Sequence, residues 1–306
     1  MNFKKNKYQS EATLKYFIVQ RVSSILILIR IFSINIFYNL SRAVLILRLL
    51  LKTGVAPFHQ WIPAIVEGLD WNVVILLLIP QKVGPLILIR QLMQDFILKN
   101  KIFIFIVLTS LIGSIGGLIN YSLRKILVYS SISHSGWMLA RLFISVKLWL
   151  SYFFIYSIIL FCIISQFKQT KISNLKQIFL IENIFNKYRV IIIFLSLRGL
   201  PPFRGFLAKY LIILSSLRET WSLIMVPVIL RTLIRLFFYL RVVLINSLTE
   251  KRKSYKRINK VFISNSFFFI NLVGLTSGWF LFLFLDFKLK KLKDFKSLNK
   301  IILKSR

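Results

Sequence analysis

Apolar residues in this chain gather in nine long runs, at approximately 13–34, 43–66, 71–93, 102–119, 123–144, 146–167, 189–215, 221–246 and 261–287. A helix needs ~20 predominantly apolar residues to cross the hydrocarbon core of a bilayer, and most of the runs are that long. The pattern predicts an all-α membrane protein: a polytopic bundle of about nine transmembrane helices, forming one domain over residues 1–287. Two runs are broken. In the second, Pro57-Phe58-His59-Gln60-Trp61 opens a more amphipathic half, and in the seventh Leu200-Pro201-Pro202-Phe203 interrupts the run before Lys209. The third contains Pro80 and Pro85. Proline frees backbone carbonyls, which membrane proteins tolerate only inside protein or beside water. Gly113 and Gly117, with Gly116 between them, have the spacing of small residues that lets helices approach closely. A specific helix contact and a simple small-residue groove are both open readings of it.

The polar stretches are 168–188 and 247–260. With nine spans, both fall on the same side as the basic N-terminus, and the excess of Lys and Arg assigns that side to the cytoplasm or mitochondrial matrix. The basic tail 288–306 then falls on the opposite side, against the same rule. Either the number of spans differs by one, or the tail is not under topological selection. The start Met-Asn-Phe-Lys-Lys-Asn-Lys is followed by a membrane-length segment without a small-residue cleavage site, so no signal peptide is expected.

Composition supports the membrane reading: 57% of the 306 residues are hydrophobic and the mean hydropathy is +0.73, too apolar for an ordinary soluble domain. The formal charge of +34 would suggest nucleic-acid binding in a soluble chain. Here part of it lies in loops, where topology and anionic lipid explain it. Part lies within apolar runs that no phosphate reaches. Nucleic acid is therefore excluded as a partner, and the bilayer is the expected one. The single cysteine, Cys162, rules out a disulfide within the chain or a cysteine-based metal site.

Three lysines carry the candidate chemistry. Lys52 precedes Gly54 and Pro57; Lys82 is bracketed by Pro80, Gly84 and Pro85; Lys209 follows Pro201, Pro202 and Gly205. An ammonium at the bilayer centre costs ~2.5–3.5 kcal/mol on insertion scales, so three such placements point to a need for the charge. Withdrawal from water disfavours the charged form of an amine, which suits it to taking up and releasing a proton. The plainer alternative is a lysine that snorkels to the interface. His134 lies among Ser130, Ser131, Ser133 and Ser135; a hydrogen-bonded core histidine and a hydrated relay are both open. Lys125, nine residues before it, falls on the opposite helix face and reads as a loop anchor. His59, beside Pro57, reads as a cap for carbonyls of the broken helix. None of the nine carboxylates lies at the middle of a run, so no acidic partner for Lys52 or Lys82 is evident. Metal sites, Ser/His/Asp triads and phosphate-binding glycine loops have no support.

The motifs Lys52-Thr-Gly-Val-Ala-Pro-Phe-His-Gln-Trp-Ile-Pro63, Gln81-Lys-Val-Gly-Pro-Leu86, Ser122-Leu-Arg-Lys-Ile126, Tyr129-Ser-Ser-Ile-Ser-His-Ser-Gly-Trp-Met138 and Gly199-Leu-Pro-Pro-Phe-Arg-Gly-Phe-Leu-Ala-Lys209 follow one another in order. Together with Glu67-Gly-Leu they resemble the NADH-ubiquinone oxidoreductase chain 2 family, the mitochondrially encoded antiporter-like subunits of respiratory complex I, over about residues 8–245. The resemblance implies an antiporter-like bundle of two inverted repeats, each with a broken helix, carrying Lys52 and Lys209. It implies Lys82 as the central lysine and His134 as the relay between Lys82 and Lys209. Gly54, Pro57, Pro201, Pro202 and Gly205 would be the broken-helix residues. It further implies a proton-translocating subunit of an NADH:ubiquinone reductase in the mitochondrial inner membrane, with other membrane-arm subunits as partners. No cofactor is expected in this chain; NADH, FMN, iron–sulfur clusters and ubiquinone would belong to the complex. An Mrp-like cation/proton antiporter subunit and a truncated, non-functional remnant are the alternatives.

Three departures from the family pattern shape the expectations. The family begins with further helices, one carrying a glutamate partner for the lysine at position 52, so an N-terminally truncated sequence is expected, with a carboxylate supplied by a partner subunit as the alternative. Arg21, Arg48, Arg141, Arg198, Arg204, Arg231 and Arg235 stand where the family has small residues. Many invertebrate mitochondria read AGA and AGG as serine and ATA as methionine, and Met occurs only four times here. The seven arginines are therefore expected to be translation artefacts, and CGN codons at these positions would end that idea. The tail 288–306 has no counterpart, and read-through is the expectation for it.

Overall fold

A computed structural model describes residues 2–33, 38–92, 96–181, 184–200, 203–216, 226–234 and 237. The named helices are α1 (Asn2–Ser33), α2 (Tyr38–Thr53), α3 (Trp61–Val66), α4 (Trp71–Leu78), α5 (Pro80–Leu92), α6 (Phe96–Ile119), α7 (Leu123–Ile144), α8 (Val146–Thr170), α9 (Ile184–Arg198) and α10 (Arg204–Ser216). A 3-10 turn at Leu175–Leu180 and a helical stretch at 226–234 complete them. No strand occurs among the described residues. Each apolar run up to residue 215 is thus helical, as expected. The run at 261–287 and the tail 288–306 lie outside the described residues, as do Pro201, Pro202 and Arg235. Among the described residues, three helical stretches are long and apolar enough to cross a membrane: Trp71–Leu92, Ile102–Ile119 and Val146–Thr170.

Both expected helix breaks end in the same local structure. At the end of α2 the Val55 amide bonds the Leu50 carbonyl (3.1 Å) and the Gly54 amide bonds that of Leu51 (3.2 Å). At the end of α9 the Leu200 amide bonds the Leu195 carbonyl (3.4 Å) and the Gly199 amide that of Ser196 (3.0 Å). This is the Schellman pattern, which requires a left-handed residue just past the helix. Gly54 (φ 67°) and Gly199 (φ 73°) supply it, where a Cβ would be strained. Gly199 therefore stops the helix, and Gly205 has a different job described below. The third run bends at Ile79, and Pro80 begins α5, where its missing N–H costs nothing.

The serine-rich helix α7 is the most enclosed of the long helices. Seventeen residues of α7 are buried, among them Ser130, Ser131, Ser133, His134, Ser135 and Arg141. It packs against α3, α5, α6, α8 and α10. Glycines bring α6 close: a Cβ on Gly113 would lie 2.7 Å from the Ser133 amide nitrogen, and one on Gly116 would lie 2.2 Å from the Tyr129 ring. The contact read from the glycine spacing is thus a specific helix crossing, made by Gly113 and Gly116. Both ends of α7 are tied. The Leu123 amide donates to the Ser173 carbonyl (2.9 Å), and Arg90 of α5 donates to the Leu142 carbonyl near the far end (2.7 Å), where a cation suits the helix dipole. Ser145 joins α7 to α8: its amide closes the last turn of α7 and its Oγ accepts from the Leu148 amide (3.2 Å), an N-cap. Large apolar side chains such as Leu14, Phe17 and Ile18 on α1, Leu76 on α4 and Phe154 on α8 are exposed. That is the outer face expected of helices solvated by lipid rather than water.

Candidate functional site

Lys82 stands in the first turn of α5, 2% exposed. Its ammonium donates to the Ser131 carbonyl (3.0 Å) and Ser131 Oγ (2.9 Å) on α7. The described carboxylates are Glu11, Glu67 and Asp70, and none lies within ion-pair distance of it. The charge is therefore held by a carbonyl and a hydroxyl, which an amine in either protonation state can keep as partners.

From Lys82 a chain of polar and aromatic groups runs along the α7/α8 interface. Lys82 Nζ lies 5.8 Å from the Tyr156 ring centroid. The Tyr156 and His134 ring centroids are 5.0 Å apart. His134 is 5% exposed, and its Nδ1 lies 2.5 Å from Tyr152 Oη. A cavity opens beside these groups, with roughly 10 Å³ available to the centre of a water molecule, about enough for one water. His134, Tyr152, Tyr156, Leu197, Gly205 and Ala208 are among its walls. The cavity thus reaches from α7 and α8 to α9 and α10.

Lys209, 8% exposed, lies one residue beyond Ala208 on α10. Its ammonium donates to the Arg198 carbonyl at the end of α9. The Schellman turn leaves such terminal carbonyls available, so the break in the seventh run supplies the acceptor for its lysine. Gly205 permits the close approach. A Cβ there would lie 1.9 Å from the Ser196 carbonyl oxygen and 3.2 Å from Gly199 Cα.

Lys52 is placed differently. It lies half-exposed in the last turn of α2, one turn from Arg48. The carbonyls of this break are satisfied by other groups: Trp61 Nε1 donates to Leu51 O (3.1 Å) and Thr53 Oγ1 to Leu50 O (3.0 Å). His59 Nδ1 lies 3.2 Å from the Pro57 carbonyl, the capping role expected of it. Lys125 anchors a loop, also as expected, through a 2.8 Å ion pair with Glu67. Arg124 adds a bond to the Glu67 carbonyl (2.8 Å) and lies 5.0 Å from the Trp71 ring centroid. Among the described residues no group of three His, Cys, Asp or Glu side chains is arranged to hold a metal ion.

The unexpected arginines fall in varied settings. Arg21 is exposed beside the Phe17 ring. Arg231 donates to Val107 O (2.6 Å) and Ser110 Oγ (3.0 Å). Arg141 is fully buried, donates to Leu148 O (2.5 Å) and stacks 4.5 Å over the Tyr152 ring. Its Nε and Nη2 have no hydrogen-bond partner among the described residues, the costliest arrangement for a buried charge. Arg48 Nε is in the same position. Only the main chain of Arg204 is described.

Sequence reasoning missed Ser131 as the partner of Lys82, and the tyrosine pair on α8. Tyr152 and Tyr156, four apart in an apolar run, were the available signal.

Residues 1–235 match the family model described as NADH:quinone oxidoreductase/Mrp antiporter, TM. The NADH-ubiquinone oxidoreductase chain 2 of Anopheles gambiae is 40% identical over 248 residues, covering 78% of this chain and 72% of that protein. Respiratory complex I from Thermus thermophilus contains a chain of similar fold, with TM-score 0.74 and 22% identity, covering 88% of this chain and 67% of that one. The Mrp complex from a Dietzia species contains another, with TM-score 0.66 and 17% identity over 76% of this chain and 50% of that one.

Proposed function

The chain belongs to the NADH:quinone oxidoreductase/Mrp antiporter transmembrane family, among proteins named NADH-ubiquinone oxidoreductase chain 2, and from that premise we infer that it is a proton-translocating membrane-arm subunit of respiratory NADH:ubiquinone oxidoreductase. The observation that carries the reading is Lys82: an enclosed amine with no described carboxylate at ion-pair distance, next to Tyr156, which with His134, Gly205 and Ala208 lines a water-sized cavity one residue from Lys209.

Lys82 takes up a proton and holds the ammonium on Ser131. The proton leaves towards His134, whose imidazole offers one nitrogen to accept a proton and another to pass one on. The cavity between His134 and α10 accommodates the water needed to reach Lys209, whose ammonium rests on the Arg198 carbonyl. Two enclosed cations repel each other, so loading one favours emptying the other. Lys52, half-exposed on α2, is the entry-side amine of this scheme. Flavin, iron–sulfur clusters and quinone sit in other subunits of the inner-membrane complex, and their chemistry is redox transfer. This chain contributes acid–base groups only. Moving one charge against the membrane potential takes ~2.3 kcal/mol per 100 mV, so the energy comes from those partners.

Purification of the tagged chain from membranes in mild detergent is expected to bring down flavin and iron–sulfur absorbance, together with NADH-dependent proton uptake after reconstitution. Cation/proton exchange without NADH, and without redox partners, would sink this reading in favour of a stand-alone antiporter.

A further inference from the structure

We propose that Tyr152 is the positioning residue of His134, a phenol hydroxyl that keeps the imidazole on the path between Lys82 and Lys209 throughout its protonation cycle. The proposal rests on the relay reading given above and adds a residue to it.

Tyr152 Oη lies 2.5 Å from His134 Nδ1, with the two ring centroids 5.8 Å apart and the rings tilted by 43°. A histidine that carries protons changes what Nδ1 offers. In one neutral tautomer it accepts a hydrogen bond; in the other, and in the cation, it donates one. A backbone carbonyl could serve only the donating forms. A carboxylate would favour the cation and hold the proton. A phenol hydroxyl rotates to donate or accept, so the contact persists as the imidazole is loaded and emptied.

The tyrosine is itself fixed. It is 2% exposed on α8, and the Arg141 guanidinium lies 4.5 Å over its ring. The titratable and charged groups near the His134–Tyr152 pair include Arg141 of α7, Tyr156 of α8, Lys82 of α5 across the Tyr156 ring, and Lys209 of α10, which follows the cavity-lining Ala208. Among the described residues no carboxylate joins them. The hydroxyl is the hydrogen-bonding group that meets Nδ1, and so one that orients the imidazole.

The test uses the assembled complex in liposomes, reading NADH-driven proton uptake across pH. Tyr152→Phe keeps the ring and deletes one hydroxyl. It is expected to lower uptake roughly three- to tenfold, the scale of one lost hydrogen bond, and to move the pH of half-maximal uptake by about one unit. Tyr16→Phe is the control. It also removes a hydrogen-bonded hydroxyl, the acceptor of Gln81 Nε2 at 2.9 Å, and is expected to leave rate and profile alone. His134→Gln reports on the relay itself. If His134→Gln pumps normally, the relay is wrong and Tyr152 falls with it. If His134→Gln is impaired but Tyr152→Phe matches wild type in rate and profile, the relay survives and the positioning role is overturned. Equal losses in Tyr152→Phe and Tyr16→Phe, or failure of Tyr152→Phe to assemble, assign the hydroxyl to packing and overturn it as well.

Discussion

Replacing Lys82 with methionine is expected to abolish NADH-driven proton translocation while the complex still assembles. Methionine fills nearly the same volume but cannot exchange a proton. Losing a positioned proton carrier removes roughly 10²-fold or more from a rate that depends on it. Stability should not fall with it. The substitution deletes an enclosed charge worth ~2.5–3.5 kcal/mol of penalty at bilayer depth. It leaves the Ser131 carbonyl inside α7, where the helix offers its own donor. Lys82→Arg sharpens the test. Guanidinium keeps the charge but does not release its proton, so it too should assemble and fail to pump. Proton uptake by reconstituted complex, set against assembly on native gels, measures both effects. Normal pumping in either variant would remove Lys82 from the path.

Gly205→Ala is expected to have the largest structural effect of any single methyl group added at the site. The new Cβ would stand 1.9 Å from the Ser196 carbonyl oxygen and 3.1 Å from its carbon. These are backbone atoms of α9, so no side chain can swing aside, and α10 must move away. Overpacking typically costs about 1–3 kcal/mol, and a collision with main chain belongs at the upper end or beyond. The displacement also separates Lys209 from the Arg198 carbonyl and reshapes the wall of the cavity. A lower thermal midpoint of the assembled complex and a loss of pumping should appear together. Wild-type stability in Gly205→Ala would show that α9 and α10 are not held this close.

The two helix breaks illustrate how much could be read from residue order. Proline after Gly54 and after Gly199 marked where α2 and α9 stop, because a Schellman turn needs a left-handed residue and proline cannot continue the helix. The extents of α7 and α8 followed from apolar length, with Ser145 between them. Lys125 was separable from His134 because nine residues make about two and a half helical turns, which puts the two on opposite faces. Partners were another matter. Ser131 is 49 residues from Lys82 and Tyr152 is 18 from His134, and no local rule links positions on different helices. The roles of the two glycines in the seventh run were also hidden. Gly199 turns the chain and Gly205 admits a neighbour's carbonyl, a difference that depends on backbone angle and distance rather than on residue type.

Residue order alone determined that this chain is a helical membrane protein and where its helices break, and it singled out the amines and the imidazole proposed as proton carriers. Those properties follow from local quantities: apolar length, backbone preference and side-chain chemistry. Only the tertiary structure decided that the serine-rich α7 lies enclosed among α3, α5, α6, α8 and α10, that Lys82 is sealed while Lys52 is half-exposed, and that tyrosines of α8 complete the site. Which faces meet is set by long-range packing, and burial of a charge is a property of the assembled neighbours rather than of the residue that bears it.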